Sequence, residues 1–341
     1  VGPGQGGGHG QSPEQGKGRE LTRLAARWGL THISAAAAPG GRALLPSRRM
    51  NIQLLSDLHL EAHPHFQPEP APGADVLVLA GDIGSYQSST QVDGENFGLE
   101  RFSPLPQYAH WPAPVLFVPG NHEYDMQDFD EARLRLQRVC DRLGLIWLDR
   151  ETVVMDGVRF IGTTLWSDFD AMAMHEGVSD ATRLHKLREK AFRAANFYLQ
   201  KTGGSRQGEP FLAAPMREES LLCQDWLRAA LQQPFDGPTV AVTHFAPSLR
   251  SADPRYGLVP GTAGFCNVMD DFLPYAQLWL HGHLHCASDY IARGQRDDGS
   301  EWQCRVVANP LGYARKGEQD DFLPASTIDL SQVKMLTVPS P

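Results

Sequence analysis

Cysteine is scarce in this sequence, and its spacing is not that of a metal or disulfide motif. Five cysteines occur in 341 residues, and no two of them stand in a Cys-x-x-Cys pattern. The odd number and the length of the chain argue against a disulfide framework. We therefore expect a reducing, cytoplasmic environment and no structural zinc bound by thiolates.

Long apolar runs are also lacking. No window approaches the roughly 18 uninterrupted apolar residues of a membrane-spanning helix. The Ala-rich stretch at 33–40 is too short for a secretory signal and is followed by arginines. The sequence therefore predicts a protein without a membrane segment.

Excess positive charge is the third absence. The formal net charge is -9, and residues 1–49 carry seven Lys/Arg against two Asp/Glu, which leaves -14 for the rest of the chain. Proteins that bind nucleic acid through a basic groove are usually positive in that region. Nucleic acid is therefore not expected as a partner. Nothing in the sequence defines the oligomeric state.

Residues 1–49 differ in composition from the rest of the chain. They open with a Gly-rich stretch that has almost nothing to bury, so we predict a disordered leader with a short helix over Glu20–Trp28. A folded domain is predicted over residues 50–333, followed by a tail at 334–341. One hypothesis makes Met50 the native first residue and the leader foreign to the native protein. The alternative is an Arg-rich, acid-poor transit peptide.

Short apolar runs and helical periodicity alternate from Met50 onwards. Runs rich in Val, Ile and Leu predict strands that are buried on both faces. These runs are Ile52–Leu55, Val76–Ala80, Val115–Val118, Val153–Met155, Val158–Gly162, Val240–Thr243 and Leu278–Leu280. Helices are predicted at Asp128–Leu143, Asp180–Gln200 and Arg217–Leu231. This alternation indicates an α/β layer fold.

Five polar segments follow apolar runs, at the strand ends where ligands bind in open α/β sheets. Alone, each one has an ordinary explanation as a turn or a surface histidine, so the prediction of a shared site rests on their joint occurrence. Residues i and i+2 of an extended chain point the same way, which predicts that Asp57 and His59 reach one metal together and that His283 and His285 share one side of the chain. The segments are Asp57-Leu58-His59, Gly81-Asp82, Gly120-Asn121-His122-Glu123, His244 and Gly282-His283-Leu284-His285.

The donors in these segments are carboxylates, an amide and imidazoles, without a thiolate. Such a set suits Mn, Fe, Zn, Ni or Co rather than Ca. Seven donors are too many for one tetrahedral site, and they fit two octahedral-like ions that share a bridging ligand and leave positions for water and substrate. The sequence therefore predicts a dinuclear metal site at the C-terminal ends of strands.

The order of these motifs resembles that of the calcineurin-like metallophosphoesterases, whose pattern is DxH, GD, GNH with an acidic residue, H and GHxH. All five elements are present in order, and the resemblance covers about residues 50–330. The stretches MNIQLLSDLHLE, VTHFAP, LWLHGHLH and VANPLGY are similar to bacterial cytosolic members. The resemblance implies a four-layer α/β/β/α sandwich of two mixed sheets.

The resemblance also implies a role for each matching residue. The first metal ion would be held by Asp57, His59, Asp82 and His285. The second would be held by Asp82, Asn121, His244 and His283, with Asp82 as the bridge. His122 would protonate the leaving oxygen rather than bind a metal. This chain departs from related sequences at Phe245, where a second histidine is often found after the first.

The expected reaction is hydrolysis of a phosphate mono- or diester of a small molecule or nucleotide by a metal-bridging hydroxide. Mn is the ion expected to support activity in vitro. An imidazole is suited to donate a proton near neutral pH. The alternatives are a Ser/Thr-type protein phosphatase and a non-catalytic metal-binding scaffold, and the presence of every ligand argues against the scaffold.

Several other residues are candidates for supporting roles. Glu123 is a candidate to orient His122 or a ligand imidazole. His281 is predicted to be structural or to support the ligands, and the stretch with His63 and His65 is predicted to be a mobile loop. The helical insert from Asp168 to Met216 is a candidate lid. Candidates for the substrate pocket are Tyr124, Asp168, Arg255, Asn309 and Tyr313.

Overall fold

A computed structural model describes residues 31–32, 49–87, 90, 92 and 94–333. Most of the predicted leader, with the helix predicted over Glu20–Trp28, lies outside the described residues. The whole predicted tail at 334–341 also lies outside them.

The described chain is built from short strands and four α-helices. The strands, in chain order, are β1 Thr31–His32, β2 Asn51–Leu55, β3 Val76–Ala80, β4 Val115–Val118, β5 Ile146–Trp147, β6 Glu151–Met155, β7 Val158–Thr163, β8 Ser205–Arg206, β9 Glu209–Pro210, β10 Thr239–Thr243, β11 Leu278–His281, β12 Ser288–Gln295, β13 Glu301–Ala308 and β14 Thr327–Asp329. The helices are α1 Phe129–Leu143, α2 Ala171–His175, α3 Ala181–Thr202 and α4 Ala213–Leu231.

Two large mixed sheets and one small hairpin result. The seven-stranded sheet has the order β1-β6-β7-β10-β11-β13-β12, and the five-stranded sheet has the order β14-β2-β3-β4-β5. Strands β7, β10, β11 and β13 are parallel to one another, as are β2, β3, β4 and β5. Over the described ranges, antiparallel pairing is confined to the flanking strands β1, β6, β12 and β14 and to the hairpin β8-β9.

Alternation along the central strands creates two faces, and both are buried. In β3, Val76 and Val78 belong to an apolar core together with Val240 and Leu278 of the other sheet, so this core lies between the sheets. Leu77 belongs instead to a second core that includes apolar side chains of α1 and α4. Because successive strand residues face opposite sides, a run such as VLVLA fills both cores. The predicted four-layer α/β/β/α sandwich is confirmed.

The helices begin and end at residues suited to those positions. The Asp128 side chain caps α1 by accepting from the backbone N–H groups of residues 130 and 131, and Gly144 ends the helix with φ 70°. The Asp180 side chain caps α3, and Gly203 ends it with φ 66°. α4 begins at Ala213, before the predicted Arg217, because Pro215 is tolerated in a first turn.

All seven predicted runs form strands, and all three predicted helices are present within a few residues of their predicted bounds. The short hairpin β8-β9, within residues 201–210, is not among the predicted strands. The hairpin of β12 and β13 escapes the prediction because β12 alternates mostly between exposed and half-buried residues and contains no apolar run. Within the parts of the chain that the structure describes, no helix is both long and apolar enough to cross a bilayer.

The parallel strands of the two sheets end at a common edge of the sandwich. Ser56, after β2 of one sheet, forms a parallel bridge with Pro310, after β13 of the other. The His244 ring, after β10, lies 2.8 Å from the carbonyl oxygen of Ala80, the last residue of β3. The five polar segments found in the sequence therefore meet at this edge.

Candidate metal centre

The structure brings the predicted ligands together in two groups that share Asp82. We call Asp57, His59, Asp82 and His285 the first cluster, and their ligand atoms lie within 4.8 Å of one another. In the second cluster, Asp82, His244 and His283 meet the same limit. We add Asn121 to the second cluster because its Oδ1 lies 3.2 Å from His244 Nε2.

The backbone at these positions is in the left-handed region. The φ angle is 52° at Asp57, 46° at His59, 52° at Asp82, 73° at His283 and 48° at His285. Such angles are uncommon for residues other than glycine, and they cluster at functional sites where the surroundings enforce them. Asp57 and His59 do meet in one cluster, as predicted, but through a turn and not along an extended chain. The prediction that His283 and His285 share one side of an extended segment is wrong, because they point to different clusters.

Close packing explains the glycine that precedes Asp82. Gly81 has a φ of 86°, and a Cβ atom there would collide with His244 Nδ1 and with the backbone of Gly120. Only glycine fits both the conformation and the space. The Gly-Asp motif thus lets two strand ends approach closely enough for Asp82 to reach both clusters.

Asp82 occupies the centre of the site. It is 1% exposed, and its Oδ1 accepts a hydrogen bond from the backbone N–H of His122 at 2.8 Å. Among the described residues its Oδ2 has no hydrogen-bond partner, yet it lies 3.2 Å from His244 Nε2 and 4.0 Å from His59 Nε2. A buried carboxylate oxygen without a hydrogen bond is costly in a folded protein unless a cation binds it. This oxygen fits a shared cation ligand between imidazoles of the two clusters.

In the first cluster, each imidazole is supported by a carboxylate. His59 Nδ1 lies 2.8 Å from Glu61 Oε1, and His285 Nδ1 lies 2.7 Å from Glu318 Oε2. The Nε2 atoms of His59 and His285 then face each other at 3.0 Å. Because Nδ1 donates to the carboxylate, Nε2 is the ring nitrogen that would bind a metal.

In the second cluster, the imidazoles are supported by neutral groups. His244 Nδ1 donates to the Ala80 carbonyl, and His283 Nε2 is buried without a hydrogen-bond partner in the part of the chain that the structure describes. The His283 ring packs against Phe245, with 3.9 Å between ring centroids, and against Phe265 at 5.0 Å. An aromatic ring thus occupies the place where related sequences often carry a second histidine.

His122 stands beside the clusters and is the predicted proton donor. Its ring centroid lies 5.0 Å from that of His59, and its side chain is 24% exposed. Its Nδ1 donates to Asp125 Oδ2 at 2.6 Å, which leaves Nε2 available to an incoming group. The sequence analysis did not predict Asp125 as the partner of His122, although it lies only three residues further along the chain.

Glu123 does not orient an imidazole, contrary to prediction. Its buried carboxylate accepts from the backbone N–H groups of Asp82 at 3.0 Å, Ile83 at 2.7 Å, Gly84 at 3.2 Å and Gly120 at 2.5 Å. It therefore ties together the two loops that follow β3 and β4. Burial and the charge of Asp82 raise the pKa of Glu123 to about 8.

Burial and neighbouring charges divide the imidazoles into two classes. Burial lowers the pKa of His59, and burial together with His244 lowers the pKa of His283 to about 3. Burial opposes protonation of His244 and His285 as well, but Asp82 for the former, and Asp57 with Glu318 for the latter, raise their pKa values to about 9. Each cluster thus has one neutral imidazole and one that is protonated at pH 7 when no cation is bound.

The pKa of His122 is raised well above its ordinary value. Burial acts against protonation, but the carboxylates of Asp125 and Asp82 outweigh it. Burial also acts against ionisation of Asp82, yet the surrounding imidazoles hold its pKa well below the ordinary range. The site thus pairs an ionised carboxylate at its centre with a protonated imidazole at its mouth.

Of the five residues predicted to line a substrate pocket, Tyr313 places its ring against the candidate ligands. Its half-buried ring stacks on His59, with 4.4 Å between centroids, and meets the His285 ring edge-on at 5.2 Å. The other four have partners elsewhere: Tyr124 stacks on Phe129, Asp168 accepts from Gln224, Arg255 pairs with Asp253, and Asn309 donates to the carbonyl of Leu54.

The other supporting predictions have mixed outcomes. His281 is buried and hydrogen-bonded to Ser251 Oγ at 2.9 Å, which is a structural role, as predicted. His63, predicted to lie in a mobile loop, donates to the carbonyl of Gly312 at 2.9 Å. The insert Asp168–Met216 is attached beside the site, since Thr202 O accepts from the backbone N–H of Met126 at 2.8 Å. Its action as a lid stays a prediction.

Comparison with known proteins agrees with this geometry. Residues 50–287 match the family model of the calcineurin-like phosphoesterases, and this range contains every residue of both clusters. The chain is also similar to the uncharacterized protein L509 of Acanthamoeba polyphaga mimivirus, with 25% identity over 308 residues, 83% of this chain and 97% of that protein. Members of the matched family typically bind two divalent metal ions and hydrolyse phosphoesters. This chain belongs to the calcineurin-like phosphoesterase family.

Proposed function

We propose that the protein hydrolyses a phosphate mono- or diester of a small molecule or nucleotide, using two divalent cations bound by the clusters. The first cation would be held by Asp57, His59, Asp82 and His285, and the second by Asp82, Asn121, His244 and His283. Mn, Fe, Zn, Ni and Co all suit this donor set, and Mn is the proposed ion for activity in vitro.

One observation carries the proposal. Asp82 Oδ2 is buried, has no hydrogen-bond partner among residues that the structure describes, and lies near an imidazole nitrogen of each cluster. His283 Nε2, on the side of the second cluster, is another buried atom without a partner within those same residues. These atoms fit two cations that share one carboxylate.

The residues around the clusters divide the chemistry between them. When bound, two divalent cations acidify water and neutralise the charge on the phosphoryl oxygens. His122 holds a proton on Nε2 and gives it to the departing alkoxide, because Asp125 fixes the opposite nitrogen. The Tyr313 ring covers the His59 imidazole and keeps water from that side of the first cluster.

A small-molecule substrate fits the surroundings of the site better than a folded phosphoprotein. Phe265 and Tyr313 place aromatic rings against His283 and His59, one beside each cluster. Rings so placed suit the organic group of a small ester. A scaffold without catalysis is opposed by the intact His122–Asp125 pair, which lies outside both clusters. A cytoplasmic location is proposed on the five free cysteines.

The test is a substrate panel on purified protein supplied with Mn. Aryl and nucleoside phosphate mono- and diesters are compared with a phosphorylated peptide, and metal content is measured on the same sample. We expect turnover of at least one small ester, two metal equivalents per chain and complete loss of activity with a chelator. Turnover that resists the chelator would rule out the mechanism, and turnover of the peptide alone would support the protein phosphatase.

A further inference from the structure

A segment beyond the family match runs alongside the first cluster. The match ends at residue 287, whereas Asn309–Glu318, which we call the C-terminal strap, lies in the remaining chain. The strap follows β13, and two of its backbone N–H groups donate to the segment that contains Asp57. Leu311 N donates to Ser56 O at 3.1 Å, and Gly312 N donates to Asp57 O at 2.9 Å.

The strap ends at a carboxylate that contacts a candidate ligand. Glu318 Oε2 lies 2.7 Å from His285 Nδ1 and also accepts from the backbone N–H of Tyr313 at 2.9 Å. The Glu318 side chain is only 7% exposed. One oxygen atom thus binds both the imidazole and the backbone of the strap, so the position of the ring depends on the strap.

The packing leaves this carboxylate little freedom. Gly312 has a φ of 65°, and a Cβ atom there would lie 2.7 Å from Glu318 Cβ and 3.2 Å from His285 Cβ. The backbone N–H of Tyr313 donates to Glu318, and the Tyr313 ring stacks on His59 of the first cluster. Both imidazoles of the first cluster therefore contact the strap, whereas His244 and His283 pack against each other, and further contact the Ala80 carbonyl and the Phe245 ring respectively.

We propose that Glu318 is a positioning residue that fixes the Nδ1–H tautomer of His285 and thereby sets the affinity of the first cluster for its cation. The assignment deepens the proposed function and rests on the proposed metal centre. A carboxylate behind a ligand imidazole orients the ring, increases its basicity and adds negative charge near the cation. The second cluster, which lacks this contact, is not expected to depend on Glu318.

The test is a metal titration of the full chain with Mn, after stripping with a chelator. Equilibrium dialysis gives the affinity of each equivalent for wild type, Glu318→Gln and Glu318→Asp. The glutamine keeps the reach and loses the charge, whereas the aspartate keeps the charge and loses the reach. We expect both variants to weaken one equivalent by roughly 10- to 100-fold, the scale found for partners of ligand histidines, and to leave the other unchanged.

Two controls separate positioning from folding. Asp320→Asn removes the same charge from an exposed position two residues away and should bind both equivalents as wild type does. The melting temperature of the metal-free protein should be similar in all variants, while the rise on adding Mn should be smaller in the Glu318 variants. Equal weakening of both equivalents, or no weakening, would overturn the role of Glu318. A wild type that binds fewer than two equivalents would instead refute the proposed metal centre.

Discussion

The two clusters share Asp82 but differ in what stands behind their imidazoles. In the first cluster, Glu61 and Glu318 place a carboxylate on each ring. In the second, His244 contacts a backbone carbonyl, and His283 is packed between aromatic rings. Negative charge behind a ligand strengthens its hold on a cation, while neutral packing only fixes the geometry. We therefore expect the first cluster to bind its cation more tightly than the second.

Removing the carboxylate of Asp82 should have the largest effect because both clusters share this ligand. In Asp82→Asn, the atom nearest to both clusters loses its charge, and we expect turnover at background level with fewer than one metal equivalent per chain. Metal analysis of the dialysed protein and an aryl phosphate assay are the measurements. Asp289→Asn, which removes an exposed carboxylate paired with Arg305, should retain both metals and full activity.

Variants of ligands that belong to one cluster test which cluster binds its cation more tightly. His285→Ala and His244→Ala each affect one cluster, so each should retain one equivalent of metal. The equivalent that remains in His244→Ala should be the tighter one. If His244→Ala retained only the weaker equivalent, the assignment of the carboxylate-supported cluster as the tighter site would be wrong.

His122 tests whether a carboxylate partner marks a metal ligand. Its contact with Asp125 resembles those of His59 and His285, yet it belongs to neither cluster. We expect His122→Ala to retain both equivalents and to lose roughly 10²–10⁴ in kcat for esters with poor leaving groups, the range for general acid catalysis. With a good leaving group such as nitrophenolate, the loss should be much smaller. Loss of metal would make His122 a ligand.

Metal affinity should depend on pH in a similar way at both clusters. His244 and His285 have pKa values raised to about 9, so below that pH each must release a proton to bind a cation. His59 and His283, with lowered pKa values, are already neutral. Each affinity should therefore rise by about tenfold per pH unit from pH 7 and level off above about pH 9. Calorimetry in buffers of different ionisation enthalpy should count one proton per cation, and a count of zero would contradict this.

The candidate ligands could be predicted from the sequence, but the carboxylates that support them could not. The seven candidate ligands were found in the sequence because they lie in segments that follow buried strands, and parallel strands end at a common edge. Their division between two metal ions came from the family resemblance. The supporting carboxylates were not predicted. Glu61, two residues after His59, is the partner with the closest local signal, whereas Glu318 lies far along the chain and reaches His285 only through the tertiary path of β13 and the strap.

The prediction that Glu123 orients an imidazole was wrong because it relied on the position of Glu123 next to His122 in the sequence. It is adjacent to His122, but its carboxylate turns away to bind four backbone N–H groups of two loops. The sequence does not show that the backbone N–H groups of those loops need an acceptor, because they come together only when β3 and β4 lie side by side. The same limit applies to Phe245, whose contact with His283 follows from how β10 and β11 pair.

Phe245 allows the smallest and most selective test of the comparison. Aromatic pairs contribute about 0.5–1.5 kcal/mol beyond their buried area, so Phe245→Leu, which conserves much of the volume, should weaken the second cation by roughly three- to tenfold. The first cation, held by carboxylate-supported imidazoles, should not change. Phe192→Leu, which removes a ring packed on Phe169 in another part of the core, controls for general loss of packing. Equal weakening of both cations in Phe245→Leu would mean that the ring stabilises the whole site, and that the second cluster has no special dependence on aromatic packing.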